Sequence, residues 1–184
     1  MSGSTARSDV PCPMGRAIEV LGDRWTLLIL RNATMGVTRF EGFRSELGIA
    51  DNILSNRLAR LVDAGVLVRV PYRDLRRTRH EYRLTTAGAD VLGVLHALAG
   101  WGQDHTETSR PAEPMRIIHH ACGSDLAPGG HCAACERAVE RDEIAWVRPW
   151  RSPDPLPLAN PARSPDAAQL DAAGVRGHVR SSSP

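Results

Sequence analysis

One stretch breaks the helical character of the first hundred residues, and it limits the available folds more than any other feature. The runs VLVRVPY (66–72) and HEYRLT (80–85) are rich in β-branched and aromatic residues, and between them lies an arginine-dense loop, DLRRTR. Two β-forming runs on either side of a short polar loop describe a hairpin with a basic tip. Everything before it reads as helix. Within 14–21, Ala17, Ile18 and Leu21 share a face; Gly22 stops that helix and Asp23 caps the next. Trp25, Leu27, Leu28, Ile29 and Leu30 make 25–33 apolar nearly all round, as a buried central helix would be. Phe40, Phe43 and Leu47 mark a third helix closed by Gly48. Asp51 opens a fourth, with Ile53, Leu54, Leu58, Leu61 and Val62 on one side and Gly65 at its end. After the hairpin, Thr85 or Thr86 caps a last long helix running to about Asp104, with Val91, Leu95, Leu98 and Trp101 in a stripe.

Helix, helix, tight turn, helix and a two-stranded ribbon is the order of a winged helix-turn-helix. The fold class expected is therefore mainly α with a β-hairpin wing. Charge agrees with it. All 23 basic residues are arginine, and between residues 52 and 86 eight arginines stand against Asp63, Asp74 and Glu81, a local excess of +5 in a chain of net charge +2. A basic patch in an otherwise balanced chain suits a polyanion. The outer face of the fourth helix carries Asn52, Ser55, Asn56, Arg57 and Arg60, types that reach base edges and phosphates in a major groove. Arg73, Arg76, Arg77 and Arg79 of the wing would grip the backbone or the minor groove alongside. Taken singly, each feature also describes an ordinary solvated face. Their adjacency, in this order, points to double-stranded DNA.

Along the chain, residues 1–10 read as a flexible arm, 11–104 as the DNA-binding domain, and 105–115 as a linker. Residues 116–150 read as a small zinc-ribbon-like Cys/His module, and 151–184 as a disordered Pro/Arg-rich tail. The module's signature is His119-x-x-Cys122, then Cys132-x-x-Cys135. Two such knuckles supply the four nitrogen and sulfur ligands of a tetrahedral structural Zn²⁺ site, closed to catalysis because no position is left for water. His120 and His131 lie close enough to compete with His119. A Cys132–Cys135 redox pair, or free thiols, fits the same spacing. Some 35 residues have too little core to fold alone, so a metal would contribute much of their folding free energy.

A composition of 42% hydrophobic and 24% charged residues is that of a soluble globular chain. Neither a run of about 20 apolar residues nor a basic-then-apolar leader is present, so the expectation is a cytoplasmic, nucleoid-associated protein with no membrane partner. No serine elbow, phosphate-cradling glycine loop or paired carboxylates suggest an enzyme. The remaining alternatives are a thiol redox protein and a protein-interaction adaptor built on the cysteine cluster.

The run from Pro11 to Trp101 resembles the HxlR family of bacterial transcription regulators, relatives of the MarR type. The resemblance rests on Cys12-Pro13, Gly22-x-Arg24-Trp25, Arg39-Phe40, Arg57-Leu58 and Glu81-Tyr82-x-Leu84-Thr85. It implies a homodimer on a pseudo-palindromic operator, acting as a repressor, with the first and last helices joining the subunits. On that reading Val91, Leu95, Leu98 and Trp101 are the dimerisation seam; packing within one subunit would use the same stripe. It also implies a thiol-sensing role for Cys12, and with it an electrophile or small-molecule effector, whereas a small hydrophobe at the dimer junction would look no different. Two positions depart from the family: Ala50 stands where a serine is common, and the wing loop lacks a proline.

Overall fold

The computed structural model describes residues 9–74, 77–108, 113–127 and 129–159. The arm to residue 8, residues 75 and 76 of the wing loop with Arg76, residues 109–112 of the linker, residue 128 and the tail from 160 onward lie outside them. Four helices come first: α1 (Pro13–Leu21), α2 (Arg24–Thr34), α3 (Phe40–Leu47) and α4 (Asp51–Asp63). The wing follows as β1 (Leu67–Asp74) and β2 (Arg77–Leu84), antiparallel and in register from Leu67 opposite Leu84 to Asp74 opposite Arg77.

Local chemistry explains these boundaries. Asp23 accepts hydrogen bonds from the amides of Trp25 and Thr26, satisfying two orphan donors at the start of α2. Gly48, in the left-handed region at φ 59°, ends α3 and makes the tight turn into α4. Ala50 brings no side-chain cap to α4; instead the Asn52 Oδ1 accepts from the Ile53 amide, and Asp51 pairs with Arg44 at 3.5 Å. The α4 apolar stripe, Leu54, Leu58 and Leu61, is at most 2% exposed and packs with Ile29, Leu30 and Phe43. At about 1.5–3 kcal/mol per buried large side chain, that stripe fixes which face of α4 is left outside.

The long helix expected after the wing is two. Thr85 caps α5 (Thr86–Asp90) by accepting from the Gly88 amide, the Val91 amide reaches back three residues to Gly88, and α6 (Leu92–His105) starts afresh. A three-residue turn tightens the backbone there.

The C-terminal segment carries two small sheets. In the first, β3 (Arg116–His119), β7 (Ile144–Arg148) and β8 (Ser152–Pro157) lie in the order β3-β7-β8, all antiparallel. The second joins β4 (Leu126–Ala127), β5 (His131–Cys132) and β6 (Arg137–Ala138). Strand β8 corrects the expectation of disorder from residue 151. Its Pro157 stands opposite Ala145, out of step with Leu158, whose amide bonds the Ile144 carbonyl, so no donor toward β7 is needed there, while Pro153 and Pro155 fall where the register shifts between Trp146 and Arg148. Composition alone counted the prolines and missed their period.

These sheets do not hang free. Ile144, Trp146 and Leu158 belong to the same buried cluster as Ile29, Leu54 and Leu58, while Ile118, Ala145 and Val147 form a second cluster on the other side of β7. Polar ties reinforce the seam. The Trp146 indole donates to His96 Nε2 at 2.9 Å, Arg141 pairs with Asp90, Arg151 with Glu46, and the Ala159 amide donates to the Thr34 carbonyl.

Candidate nucleic-acid interface and metal-ligand cluster

The outer face of α4 is open. Asn52, Ser55, Asn56 and Arg60 are all exposed, and the C-terminal sheets meet α2, α3, α5 and α6 instead, leaving this face uncovered by the described residues. Arg57 is turned elsewhere. Its Nη2 bonds the Asp23 carboxylate at 3.0 Å, and its Nε is buried without a partner among the described residues. Asp23 therefore serves both the α2 amides and Arg57, which ties α4 to the start of α2.

On the wing, Arg73 is exposed on β1 and Arg79 bonds Glu41 of α3 at 2.8 Å. Arg77 is placed by its backbone opposite Asp74, and Arg76 lies outside the described residues. The wing's root is held by an arrangement that sequence periodicity did not reveal. Arg39 forms an isolated antiparallel bridge with Glu81, and the Tyr82 amide donates to the Thr38 carbonyl. Arg39 also stacks on Tyr72, 4.6 Å from the ring centroid, and donates to Glu81 at 3.2 Å. Burial alone would raise the Glu81 carboxyl; the hydrogen bonds from Arg83 and Arg39 outweigh it and hold it below the usual range. The pairs Arg39-Phe40 and Glu81-Tyr82, 42 residues apart, are thus one contact. These contacts anchor the described part of the hairpin to the start of α3.

Cys12 is exposed at the N-cap of α1, whose Met14 and Ile18 are 71% and 60% exposed. The stripe on α6 divides. Val91 and Leu95 are buried in the chain's own core, whereas Leu98 and Trp101 are 47% and 61% exposed, with Val94 beside them.

The cysteine cluster assembles as its spacing suggests. His119, Cys122, Cys132 and Cys135 place one donor atom each within 4.8 Å of all the others, a group that could hold a metal ion. His120 and His131 are exposed and outside this group. Cys122 Sγ lies 3.2 Å from His119 Nδ1 and 3.6 Å from Cys132 Sγ, and Cys135 Sγ lies 3.4 Å from Nδ1. Tetrahedral zinc with Zn–S near 2.3 Å and Zn–N near 2.0–2.1 Å would space its ligands by about 3.5–3.8 Å. The other ring nitrogen of His119 faces an ion pair, 3.4 Å from Arg137 Nη2 and 3.7 Å from Glu143 Oε1. Hydrogen bonds from Arg137 and from the Glu140 amide hold the Glu143 carboxyl at about 2, so it stays anionic as an outer partner for the imidazole.

Two details concern the thiols. Hydrogen bonds from Ser124 bring Cys122 down to about 6, while the neighbouring sulfurs of Cys122 and Cys132 push Cys135 up to about 11. Three thiolates crowd one another unless a cation sits among them. The residue after each knuckle is left-handed: Gly123 at φ 72° and Glu136 at φ 53°. Glycine adopts that conformation freely; for Glu136 it costs about 1–2 kcal/mol, strain that persists where the surroundings over-determine it. Among the described residues no βαβ unit surrounds Cys132 and Cys135; Cys132 ends β5, and Cys135 lies in the turn that leads to β6.

A helix-turn-helix with an open second helix, a basic wing braced against it and a helical body beneath defines a DNA-binding transcriptional regulator. Residues 20–110 match the HxlR-like helix-turn-helix family. The HTH-type transcriptional regulator Mb3122 of Mycobacterium bovis, itself uncharacterized, is 43% identical over 127 residues, 68% of this chain and 78% of its own length. YtcD of Bacillus subtilis, an uncharacterized regulator of the same type, is 30% identical over 89 residues, 48% of this chain and 70% of its own. Among solved structures, PA1607, described as a candidate transcription factor, superposes with a TM-score of 0.58 at 33% identity, covering 73% of this chain and 93% of its own. This chain belongs to the HxlR family of helix-turn-helix transcriptional regulators. Regulation, not catalysis, is the family's activity. None of the described helices is long and apolar enough to cross a membrane.

Proposed function

We propose that this protein represses transcription in the cytoplasm by binding a pseudo-palindromic operator as a homodimer. The observation that carries the reading is the exposed set Asn52, Ser55, Asn56 and Arg60 on α4, beside a wing whose Arg73 points to solvent. In this reading Asn52, Ser55 and Asn56 meet base edges in the major groove, while Arg60, Arg73, Arg76, Arg77 and Arg79 contact phosphates. Arg57 holds α4 to α2 through Asp23 and sets the helix's approach. The subunits join through α1 and the outer side of α6, where Met14, Ile18, Leu98 and Trp101 leave apolar surface exposed; Val91 and Leu95 support that seam from within. The unit at 11–104 reads DNA. The module at 116–150 is closed by one structural Zn²⁺ on His119, Cys122, Cys132 and Cys135. Cys12, exposed at the start of α1 in this seam, is where a thiol-reactive signal would act.

A mobility-shift titration with the chain's own upstream region tests this. Binding should weaken steeply as salt rises, and Arg60→Ala or Arg73→Ala should each lower the salt slope by about one. No shifted band on any upstream fragment would sink the proposal. Sedimentation of Leu98→Glu/Trp101→Glu, expected to run as a monomer, tests the seam separately.

A further inference from the structure

Helix α6 is apolar on three sides, and only two are accounted for. Leu92 and Leu95 face the core, and Val94, Leu98 and Trp101 face outward. The third side, Gly93, His96, Ala97 and Gly100, forms one wall of a cavity of about 850 Å³ whose opposite wall is Ile117, Leu126 and Ile144 from the C-terminal sheets. That size lies within the range of small-molecule sites, about 300–1,000 Å³, which are mostly apolar with a few placed polar groups.

Its interior chemistry is specific. Indole nitrogen only donates, so the bond from Trp146 makes His96 Nε2 the acceptor and puts the imidazole proton on Nδ1. That Nδ1–H has no partner among the described residues, and its ring lines the cavity. Among the described residues the lining also carries Glu140, and Asp90 paired with Arg141. The Glu140 carboxylate disfavours an anion, and an imidazole donor is no partner for a cation. Gly93 and Gly100 keep the helical wall flat: a Cβ at either would meet nothing within 4 Å.

We infer that the cavity between α6 and the C-terminal sheets is a binding site for an uncharged, flat, largely apolar small molecule carrying one hydrogen-bond acceptor for His96 Nδ1. The inference deepens the regulatory reading above by giving an effector a place to sit, on the wall of a helix that also carries the proposed seam.

Prodan, an uncharged naphthalene ketone with environment-sensitive fluorescence, is a suitable probe on the full chain without DNA. It should bind one per chain with blue-shifted emission and with energy transfer from Trp146. Dimethylaminonaphthalene, which lacks the carbonyl, should bind about tenfold more weakly, the effect of leaving the donor unmet. Gly100→Leu fills open space and improves helix propensity, so it should melt no lower than the parent while losing the probe. Equal binding by parent and variant, or no saturable micromolar binding by the parent, would overturn the inference. So would a change of oligomeric state in Gly100→Leu, which would mean a second copy fills the groove. The operator titration is a separate readout, so either result can fail without the other.

Discussion

The helical body and the Cys/His module are held together by different means. The body buries Ile29, Leu30, Phe43, Leu54 and Leu58 completely, and its turns are set by side-chain caps at Asp23 and Thr85 and by left-handed glycines at 36, 48 and 65. The module's own side of β7 buries little beyond Ile118, Ala145 and Val147, and its two knuckles converge on four donor atoms. One unit folds because apolar area leaves water. The other gathers four donor atoms that could hold a metal ion and borrows an apolar face from its neighbour through Trp146 and Ile144. The lesson is that burial tolerates substitution by degrees, whereas a ligand shell is all or nothing.

Removing the ligands should break the comparison most visibly. Cys132→Ala, or treatment with a strong chelator, is expected to release one zinc per chain and cost the module on the order of 10 kcal/mol of folding free energy. Hydrogen exchange should then rise across β3 to β6 while α2 and α4 stay protected. Uniform loss through the whole chain would show a single cooperative unit and erase the distinction drawn here. A purified protein without zinc that is equally protected would do the same.

Next in size is a cavity in the body. Leu58 is fully buried, and Leu58→Ala should lower the unfolding free energy by about 2–5 kcal/mol in urea titrations, with zinc content unchanged. Zinc loss in step with that destabilisation would tie the two units more closely than their chemistry suggests.

A smaller effect should appear at the seam between them. Burial pushes His96 down to about 4, against about 6.5 in an unfolded chain. Between those values the unfolded chain binds the proton first, so the stabilisation from a neutral His96 is complete above about pH 6.5 and is lost as pH falls toward about 4. The melting temperature of the parent should fall over this window, and His96→Gln, which keeps an acceptor for Trp146, should flatten that part of the curve. An identical slope in the variant would assign the acid sensitivity to the cysteine cluster.

The smallest change sharpens the picture of the knuckles. Glu136→Gly relieves a left-handed glutamate and should stabilise the zinc-loaded module by about 1 kcal/mol, seen as slower metal loss to a chelator. No change would show that the turn carries no strain.

What could be read from the sequence follows the same division. The caps, the buried side of α4 and the wing were legible because each depends on residues a few positions apart, such as Asp23 with Trp25 or Leu54 with Leu58. The four cluster ligands were legible because knuckle spacing is local too. The break at Val91 was not, since Val91, Leu95, Leu98 and Trp101 keep helical spacing straight through it. Nor was the strand at Ser152–Pro157, whose partner Ile144–Arg148 makes it a strand. The bond from Arg57 to Asp23 was hidden for a similar reason: its neighbours on α4 face outward, and Asp23 lies 34 residues earlier. The three-sided use of α6 was hidden because its glycines and alanines carry no pattern of their own until a sheet lies opposite.

The alternating prolines of β8 have a consequence for the protein's behaviour in a crowded cell. A free sheet margin invites another extended segment to lie against it, and such templating is how folded proteins begin to clump. Pro153, Pro155 and Pro157 leave that margin three positions with no amide hydrogen to offer a newcomer, which makes it a poor template for growth into a fibre.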